Sequence, residues 1–282
     1  MKTANIAIVS LLCLFFSGLS FAQEPLELHF IDVGEGDAVL VQYKNNNLLI
    51  DTGNLLSGYK LVDYLIKNKV SEIKYLIITH PHPDHMAGVF FILPKFPVQE
   101  IYDNGQSLND ADDMERSYKM LVRSNKNYRP LKKGDRLELD GVSLEVIWPE
   151  KPDSGVSYNK NSLVIKLNYQ DKFRCLLTGD FNNAGEDKLL KEKAGLKADI
   201  LKVGHHGAID ALSEDFLSAV SPKIAIITSG IKSKAGIFSA VTASLLAKKN
   251  VKTYRTQNYG DIIISVNNEG NYTVETEKIS NN

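Results

Sequence analysis

Five of the six histidines in the chain fall in two short clusters that could bind metal ions. The first cluster reads Thr-His-Pro-His-Pro-Asp-His and occupies residues 79–85, and the second reads Gly-His-His-Gly and occupies residues 204–207. Imidazole and carboxylate are the ligand groups that zinc and related divalent ions prefer. Three histidines and an aspartate so close together are difficult to explain by packing. The first cluster therefore predicts a metal site at His80, His82, Asp84 and His85.

Each cluster directly follows an apolar segment that has the composition of a β-strand. Polar residues directly follow such apolar segments at Asp51, at residues 79–85, at residues 178–180 and at residues 204–207. If these strand ends share one edge of the sheets, their ligand-type side chains converge at one mouth. The prolines on both sides of His82 stiffen the first loop, which fits ligand positions that are held before a metal arrives.

The rest of the chain alternates strand patterns with helical ones. Strand patterns cover residues 26–32, 38–43, 48–51, 75–79, 137–139, 142–148, 163–169, 173–178, 200–203, 224–228, 252–255, 262–266 and 272–275. Helical spacing begins at residue 57 and recurs over residues 110–124, 186–193, 213–220 and 240–249. Turns are expected at Gly34, Gly36 and residues 45–47, and hairpin turns at residues 140–141 and 170–171. This order predicts an α/β (α+β) fold in which two packed sheets are covered by helices on both sides.

The charge balance excludes a basic footprint over the whole chain, because 33 Lys and Arg residues face 34 Asp and Glu residues. One local exception is the run from residue 116 to residue 136, where eight basic residues are opposed by Asp135 alone. Tyr118 and Tyr128 are interleaved with them. Such a run can follow a phosphate backbone while the aromatic rings stack on bases, so nucleic acid is one expected partner. A solvated helix and loop is the alternative.

The N-terminus has the features of a secretory signal peptide over residues 1–22. Lys2 precedes an apolar stretch at residues 6–16, and residues 20–22 offer small side chains at the two positions that define a cleavage site. The remaining residues, 23–282, are then predicted to form a single domain that is periplasmic or secreted. No later segment reaches the ~18 uninterrupted apolar residues of a membrane span, so none is expected after signal removal.

Residues 80–85 match the His-x-His-x-Asp-His motif of the metallo-β-lactamase superfamily. Residues 31–38, Ile-Asp-Val-Gly-Glu-Gly-Asp-Ala, resemble the opening motif of one branch, which comprises the hydrolase domain of ComEC-type competence proteins and its free-standing secreted relatives. Residues 176–180 and 201–207 resemble further motifs of that branch. Residues 254–261 resemble its closing motif. The resemblance spans about residues 26–266.

The resemblance implies a four-layer αββα sandwich with two divalent metal ions at one edge, zinc or alternatively manganese. It implies that His80 and His82 bind the first ion, that Asp84, His85 and His205 bind the second, and that Asp180 bridges them. Asp84 is also the expected catalytic residue, because it could orient the attacking water or accept its proton. The residues expected to contact substrate are His206, Asn161 and Ser229, and His206 is equally open as a metal ligand.

The sequence departs from the superfamily pattern in two places. No histidine lies between His85 and His205, where many members have another ligand, and Asn161 is at best a weak substitute. This departure counts against classical β-lactamase activity and leaves the metal stoichiometry open. Relatives also often carry Gly-His-Pro where this chain reads Gly-Ile-Phe at residues 236–238, so a substrate-facing histidine is absent.

Three functions remain open from the sequence. The leading hypothesis is an exported metal-dependent phosphodiesterase or nuclease, in which a dinuclear centre supplies a metal-bound hydroxide. A carbonyl hydrolase that acts on a lactone, lactam or thioester is the second. An exported metal-binding module with little catalysis is the third. The substrate is accordingly expected to be a phosphodiester or an ester, and the oligomeric state stays undetermined.

Overall fold

The computed structural model describes residues 24–106, 112–152, 157–192, 195–230 and 238–279, and their strands form two sheets. Within these ranges the first sheet has eight strands, which are β1 (Leu26–Phe30), β2 (Val39–Tyr43), β3 (Asn46–Ile50), β4 (Ile73–Ile77), β5 (Val98–Asp103), β6 (Tyr128–Pro130), β14 (Ile262–Val266) and β15 (Tyr272–Thr276). The second sheet has seven in the same ranges, which are β7 (Arg136–Leu139), β8 (Val142–Trp148), β9 (Val164–Tyr169), β10 (Phe173–Leu177), β11 (Ile200–Lys202), β12 (Ile224–Ile227) and β13 (Lys252–Arg255).

Helices connect these strands. They are α1 (Gly58–Lys67), α2 (Pro83–Met86), α3 (Val89–Ile92), α4 (Asp113–Arg123), α5 (Asn183–Lys191), α6 (Glu214–Val220), α7 (Ala240–Lys248) and α8 (Thr256–Tyr259). Short 3₁₀ turns lie at Leu55–Ser57, Asn159–Asn161 and His205–Gly207. Among the described residues, no helix is long and apolar enough to cross a bilayer.

Both sheets are mixed, and their parallel strands determine where the polar loops meet. The first sheet has the order β15-β14-β1-β2-β3-β4-β5-β6, with β3 through β6 parallel. The second has the order β13-β12-β11-β10-β9-β8-β7, with β10 through β13 parallel. Parallel neighbours end at the same edge of a sheet. The residues that follow β3 and β4 therefore lie together, as do those that follow β10, β11 and β12.

The core has three apolar layers. The central layer lies between the sheets and includes Phe30, Ile77 and Leu177. One outer layer packs the first sheet against α1 to α4, and the other packs the second sheet against α5 to α7. Strand residues alternate between the central layer and an outer layer, as a pleated strand buried on both faces requires. The predicted αββα sandwich is confirmed.

Most of the predicted elements are present, with shifted ends. The hairpin at residues 140–141 is confirmed, because Asp140 and Gly141 both have positive φ, 52° and 102°, as a type I′ turn requires. The turn predicted at residues 45–47 lies at residues 44–45, because β3 begins at Asn46. Strands β5 and β6 were not predicted, because half of their residues are polar or exposed. The predicted signal peptide at residues 1–22 lies outside the described residues.

Candidate metal centre

The loop after β4 brings His80 and His82 together. His80 is fully buried, and its Nδ1 lies 3.1 Å from Thr79 Oγ1. Its Nε2 lies 3.0 Å from His82 Nδ1 and 3.8 Å from Asp180 Oδ2. Three ligand-type atoms from two loops thus face one another. Because burial and the neighbouring His85 ring disfavour a charged imidazole, the pKa of His80 lies well below its usual range. A neutral imidazole is the form that binds a metal.

Helix α2 positions Asp84 and His85. His82 keeps an extended conformation just before the helix, and Pro83 occupies its first turn, where a missing amide hydrogen costs nothing. His85 Nδ1 lies 2.8 Å from Asp51 Oδ2, and this contact directs Nε2 into the site. The Asp51 carboxylate also accepts hydrogen bonds from the amide and hydroxyl of Thr79, at 2.7 and 2.8 Å. The loops after β3 and β4 are therefore joined at the site.

The second sheet contributes Asp180 and His206. The amide of Asp180 donates to Ser162 Oγ at 3.2 Å, which fixes the turn after β10. Asp180 Oδ1 lies 3.2 Å from His85 Nε2 and 3.4 Å from His206 Nε2. His206 Nδ1 donates to the carbonyl of Thr228 at 2.9 Å, so its Nε2 faces the site, 3.3 Å from Asp84 Oδ2. The two oxygens of Asp180 therefore face different groups of side chains.

Two groups of ligand atoms share Asp180, one formed by His80, His82 and Asp180, the other by Asp84, His85, Asp180 and His206. Within each group the ligand atoms lie within 4.8 Å of one another. Asp180 Oδ1 and His85 Nε2 are buried and have no hydrogen-bond partner among the described residues. Unpaired buried polar atoms are costly, and a cation between them removes that cost. The residues present therefore fit a buried metal site.

A third group, Asp37, Asp51 and His85, has similar spacing but different surroundings. Asp37 forms an ion pair with the ammonium of Lys202 and accepts a hydrogen bond from the Thr228 hydroxyl. The oxygens of Asp51 are bonded to Thr79 and His85, as described above. Protein groups already provide hydrogen bonds and an ion pair for the carboxylates of Asp37 and Asp51. These two residues therefore hold the candidate metal ligands in place and are not themselves assigned as ligands.

Two of the buried histidines, His85 and His206, have raised pKa values. Burial opposes the charged form of His85, but the carboxylates of Asp180 and Asp51 raise its pKa well above the usual range. Burial likewise opposes protonation of His206, yet Asp180 and the hydrogen bonds to Asp37 and Asp84 raise its pKa to about 10. In the ion-free protein the raised pKa values favour the charged form of both rings, which adds to the Lys202 ammonium in offsetting the charge of the carboxylates.

The structure places His206, and not His205, in the group with Asp84 and His85. His205 points to the rim, where its Nδ1 lies 2.7 Å from Asp210 Oδ1 and its side chain is 19 % exposed. Both histidines have positive φ, 42° and 52°, so the chain turns sharply after β11 and the second ring faces inward. The sequence predicts His205 as the last ligand of the second group, whereas the structure has His206 in that position.

Known proteins resemble this chain in sequence and in fold. The sequence profile of the metallo-beta-lactamase superfamily matches residues 31–230. This chain belongs to the metallo-β-lactamase superfamily. It is 28 % identical to ComE operon protein 3 of Bacillus subtilis over 254 residues, which cover 84 % of this chain and 32 % of that protein. It is 29 % identical to Recombination protein 2 of Haemophilus influenzae over 230 residues, which cover 79 % and 26 % respectively.

The chain therefore spans about a third or less of the length of these two relatives. Among solved structures, the metallo-beta-lactamase fold protein YhfI of Bacillus subtilis superposes with a TM-score of 0.56 at 13 % identity, covering 89 % of this chain and all of that one. This likeness shows the superfamily fold. The predicted resemblance to the ComEC-type branch is confirmed.

Asn161 and Ser229, which are predicted to contact substrate together with His206, lie next to residues that hold the candidate metal ligands. Asn161 is buried, its carbonyl accepts a hydrogen bond from Asn104, and it precedes Ser162, which holds the amide of Asp180. Ser229 is buried, and its amide donates to Thr256 Oγ1. Gly236 and Ile237, which stand where relatives carry Gly-His, lie outside the described residues. Phe238 lies under the guanidinium of Arg255, 4.5 Å from the ring centroid.

The basic run at residues 116–136 has fewer side chains free to contact nucleic acid than its composition indicates. Four of its members form ion pairs, which join Arg116 to Asp113, Lys119 to Glu115, Lys133 to Glu192 and Arg136 to Glu145. Tyr118 is fully buried, and both Tyr118 and Tyr128 donate their hydroxyl hydrogen to Asp103. The expectation that Tyr118 stacks on a base is wrong, because its ring is fully buried. Tyr128 is half-buried, and the expectation for its ring stays a prediction.

Asp37, Lys202 and Thr228 support the site but were not among the predicted site residues. Lys202 carried a usable signal, because it is a lone charge between Leu201 and Val203 in an apolar strand. Asp37 stands after two glycines in the opening motif, which is a position typical of a loop carboxylate. Nothing in the sequence around Thr228 indicates a role at the site. Its carbonyl accepts a hydrogen bond from His206, and its hydroxyl donates one to Asp37.

Proposed function

We propose that this superfamily member is a metal-dependent hydrolase with two divalent ions and that it cleaves phosphodiesters. The observation that carries the proposal is the orientation of Asp180, which presents one carboxylate oxygen to each ligand group. A carboxylate in this position can bridge two ions. The buried, unpaired atoms beside it support the same assignment.

The proposed ligands divide between the two ions according to the groups in the structure. His80 and His82 would hold the first ion, while Asp84, His85 and His206 would hold the second, with Asp180 shared. A nitrogen-rich ligand set favours zinc, and manganese is the alternative. When bound, such ions would supply Lewis acidity and would lower the pKa of a water molecule at the site.

Asp84 is the proposed proton acceptor. Its side chain is 22 % exposed, whereas that of Asp180 is 3 % exposed, so Asp84 is the carboxylate that water can reach. Burial opposes ionisation of Asp84, but the His85 ring and a hydrogen bond from His206 hold its pKa below the usual value. It therefore stays ionised at neutral pH and can orient a water molecule or accept its proton.

The name of one relative favours a nucleic-acid substrate. Recombination protein 2 is named for recombination, a process that acts on DNA. Exposed Lys126 and Lys132 remain available on the basic run. They are the proposed contacts to the phosphate backbone. A shallow dependence of DNA affinity on salt concentration, unchanged in a Lys126→Ala/Lys132→Ala variant, would remove these contacts from the proposal.

The test is a substrate panel applied to protein loaded with zinc or with manganese. Bis(p-nitrophenyl) phosphate and single-stranded DNA represent phosphodiesters, and a lactone and a thioester represent carbonyl substrates. We expect phosphodiester turnover that is lost in His82→Ala and Asp180→Ala and kept in His29→Gln, since His29 contacts Tyr64 and Glu27 instead. Turnover of carbonyl substrates alone would favour the second hypothesis. No turnover by fully loaded protein would favour a metal-binding module.

Export is part of the proposal and rests on the sequence of residues 1–22. If the signal is cleaved after Ala22, the mature chain begins at Gln23. N-terminal sequencing of the protein from the periplasm or the medium checks this start. An intact N-terminus on cytoplasmic protein would exclude export by this route.

A further inference from the structure

Lys202 is a fully buried lysine at the boundary between the core and the metal centre. It is the last residue of β11 and shares a face with Ile200, which belongs to the apolar layer between the sheets. Lysine is among the residue types that are almost never fully buried unless they are paired. A charged side chain here therefore needs specific partners.

The two ends of Lys202 hold the residues that immediately precede Asp180. Its ammonium donates to the carbonyl of Gly179 at 2.8 Å, and its own carbonyl accepts a hydrogen bond from the hydroxyl of Thr178 at 2.7 Å. Gly179 has a positive φ of 52°, so the chain reverses at this point. Both bonds act on the turn that sets the direction of the Asp180 carboxylate.

The same ammonium reaches the other sheet through its ion pair with Asp37. The amide of Asp37 donates to the carbonyl of Asp84 at 3.2 Å, and the carbonyl of Asp37 accepts from Gly53 at 2.8 Å. Lys202 thus connects the turn that carries Asp180 with the loop that carries Asp84. These two carboxylates belong to different sheets, and their separation decides whether both can bind one ion.

Stability alone does not account for this buried pair. Removing two charges from water is costly, and replacing a buried ion pair by apolar residues is often neutral or stabilising. The geometry at Gly179 gives the pair a different role. A hydrogen-bond network that orients metal ligands typically contributes about 10- to 100-fold to metal affinity.

We propose that Lys202 is a positioning residue for the metal centre, which holds the Gly179–Asp180 turn against Asp37 so that Asp180 faces both ligand groups. This inference rests on the proposed function, because it requires that Asp180 bind metal. It gives Lys202 no contact with the substrate. The competing explanation is that Lys202 only neutralises Asp37.

Three variants separate the two explanations. Lys202→Met removes the charge and the bond to Gly179 while keeping the length of the side chain. Asp37→Asn keeps Lys202 and its bond to Gly179. The double variant Asp37→Asn/Lys202→Met removes both charges, so no unpaired buried charge remains to unfold the protein. Lys166→Met is the matched control, because Lys166 lies in the same sheet and donates to the carbonyl of Gly195, away from the ligands.

The measurement is cobalt(II) binding, followed by calorimetry and by visible absorption, with thermal melts to confirm folding. We expect the double variant to melt cooperatively yet to bind at least one ion roughly 10- to 100-fold more weakly, with an altered absorption spectrum. We expect Lys166→Met to bind both ions with the original affinity. We expect Asp37→Asn to bind them more tightly than the double variant does, because the new amide oxygen can still accept a hydrogen bond from the Lys202 ammonium, which keeps its bond to Gly179. If the double variant does not fold, Lys202→Met and Asp37→Asn are compared directly, and equal cobalt affinity and spectra would overturn the proposal.

Two results would contradict the inference. The first concerns only the role of Lys202, and the second also concerns the proposed function. Two ions bound by the double variant with the original affinity and spectrum would leave the metal centre intact and overturn the role of Lys202 alone. No cobalt bound by the unsubstituted protein would overturn the proposed function together with the role of Lys202.

Discussion

At the scale of single residues, the two neighbouring histidines after β11 have different surroundings. His206 lies between Asp84 and Asp180, while His205 lies at the rim beside Asp210. Both have positive φ, a conformation that asparagine tolerates better than most residues. Substitution by asparagine therefore removes the imidazole with the least change in the backbone.

We predict that His206→Asn loses one of two bound ions, whereas His205→Asn keeps both. Of these two histidines, only His206 has a ring nitrogen near both carboxylates of the second group, so its loss removes a ligand. Metal content after dialysis, measured by inductively coupled plasma mass spectrometry, distinguishes the variants. The reverse pattern would assign the ligand to His205, as the sequence indicated.

Metal affinity is expected to rise with pH. His85 and His206 have raised pKa values in the ion-free protein, about 10 for His206, and each must release a proton before Nε2 can bind an ion. Calorimetric titration with zinc in two buffers of different ionisation enthalpy measures the released protons. Heats that are identical in both buffers would show that no proton leaves.

The same raised pKa values affect the ion-free fold in a defined direction. A protonated His206 stabilises the folded state fully below the ordinary histidine pKa, and this contribution is lost as the pH rises through about 10. Bound ions take the place of the protons, so the loaded protein should not show this loss.

At the scale of elements, the loop between β1 and β2 must approach α2 closely. Gly36 has a φ of 124°, and a Cβ atom at this position would collide with the carbonyl of Asp84. Gly34, in the same loop, has a φ of 76° but open space around it. The two glycines thus form a matched pair, in which only Gly36 combines backbone strain with close contact.

We predict that Gly34→Ala lowers stability by about 1–2 kcal/mol, because alanine is strained at positive φ. Gly36→Ala should cost more and should also weaken metal binding, since Asp84 must shift. Denaturant unfolding and zinc titration of both variants check this. Equal metal affinity in the two variants would contradict the proposed contact.

Helices α5 and α6 are linked by a buried carboxylate. Glu186 accepts a hydrogen bond from the amide of Ser213 at 2.9 Å, at the start of α6. Burial raises the pKa of Glu186 to about 7, so the folded state favours its protonated form. Stability from this group is complete below the ordinary pKa of glutamate and is lost as the pH rises through about 7.

Glu186→Gln should therefore stabilise the protein above pH 7 by up to about 3 kcal/mol, because an amide still accepts the hydrogen bond and carries no charge. At pH 5 the substitution should have little effect. Thermal melts at both pH values test this, and an equal shift in melting temperature at both would show that ionisation of Glu186 is not responsible.

At the scale of the whole molecule, the metal centre exists only where the two sheets pack together. The first sheet supplies the loop with His80, His82, Asp84 and His85, and the second supplies Asp180 and His206. Neither of the two groups that share Asp180 is complete on one sheet. The fold was predictable because alternating strands and helices leave few layered arrangements.

The site was only partly predictable, for reasons that are local. Residues 80–85 form a dense run, so their chemistry is visible in the sequence itself. The choice between His205 and His206 depends on two backbone angles after β11, which residue types do not determine. The contact of Lys202 with Asp37 joins different sheets, so no sequence spacing reveals it.

We expect Asp180 to bridge two divalent ions. Anomalous diffraction at the zinc absorption edge, from crystals grown with zinc, tests it most directly. We predict two peaks roughly 3.5–4 Å apart, one beside His80 and His82 and the other beside Asp84, His85 and His206, with the Asp180 carboxylate between them. The absence of a peak at Asp180, or a peak on Asp37 and Asp51 instead, would contradict the account.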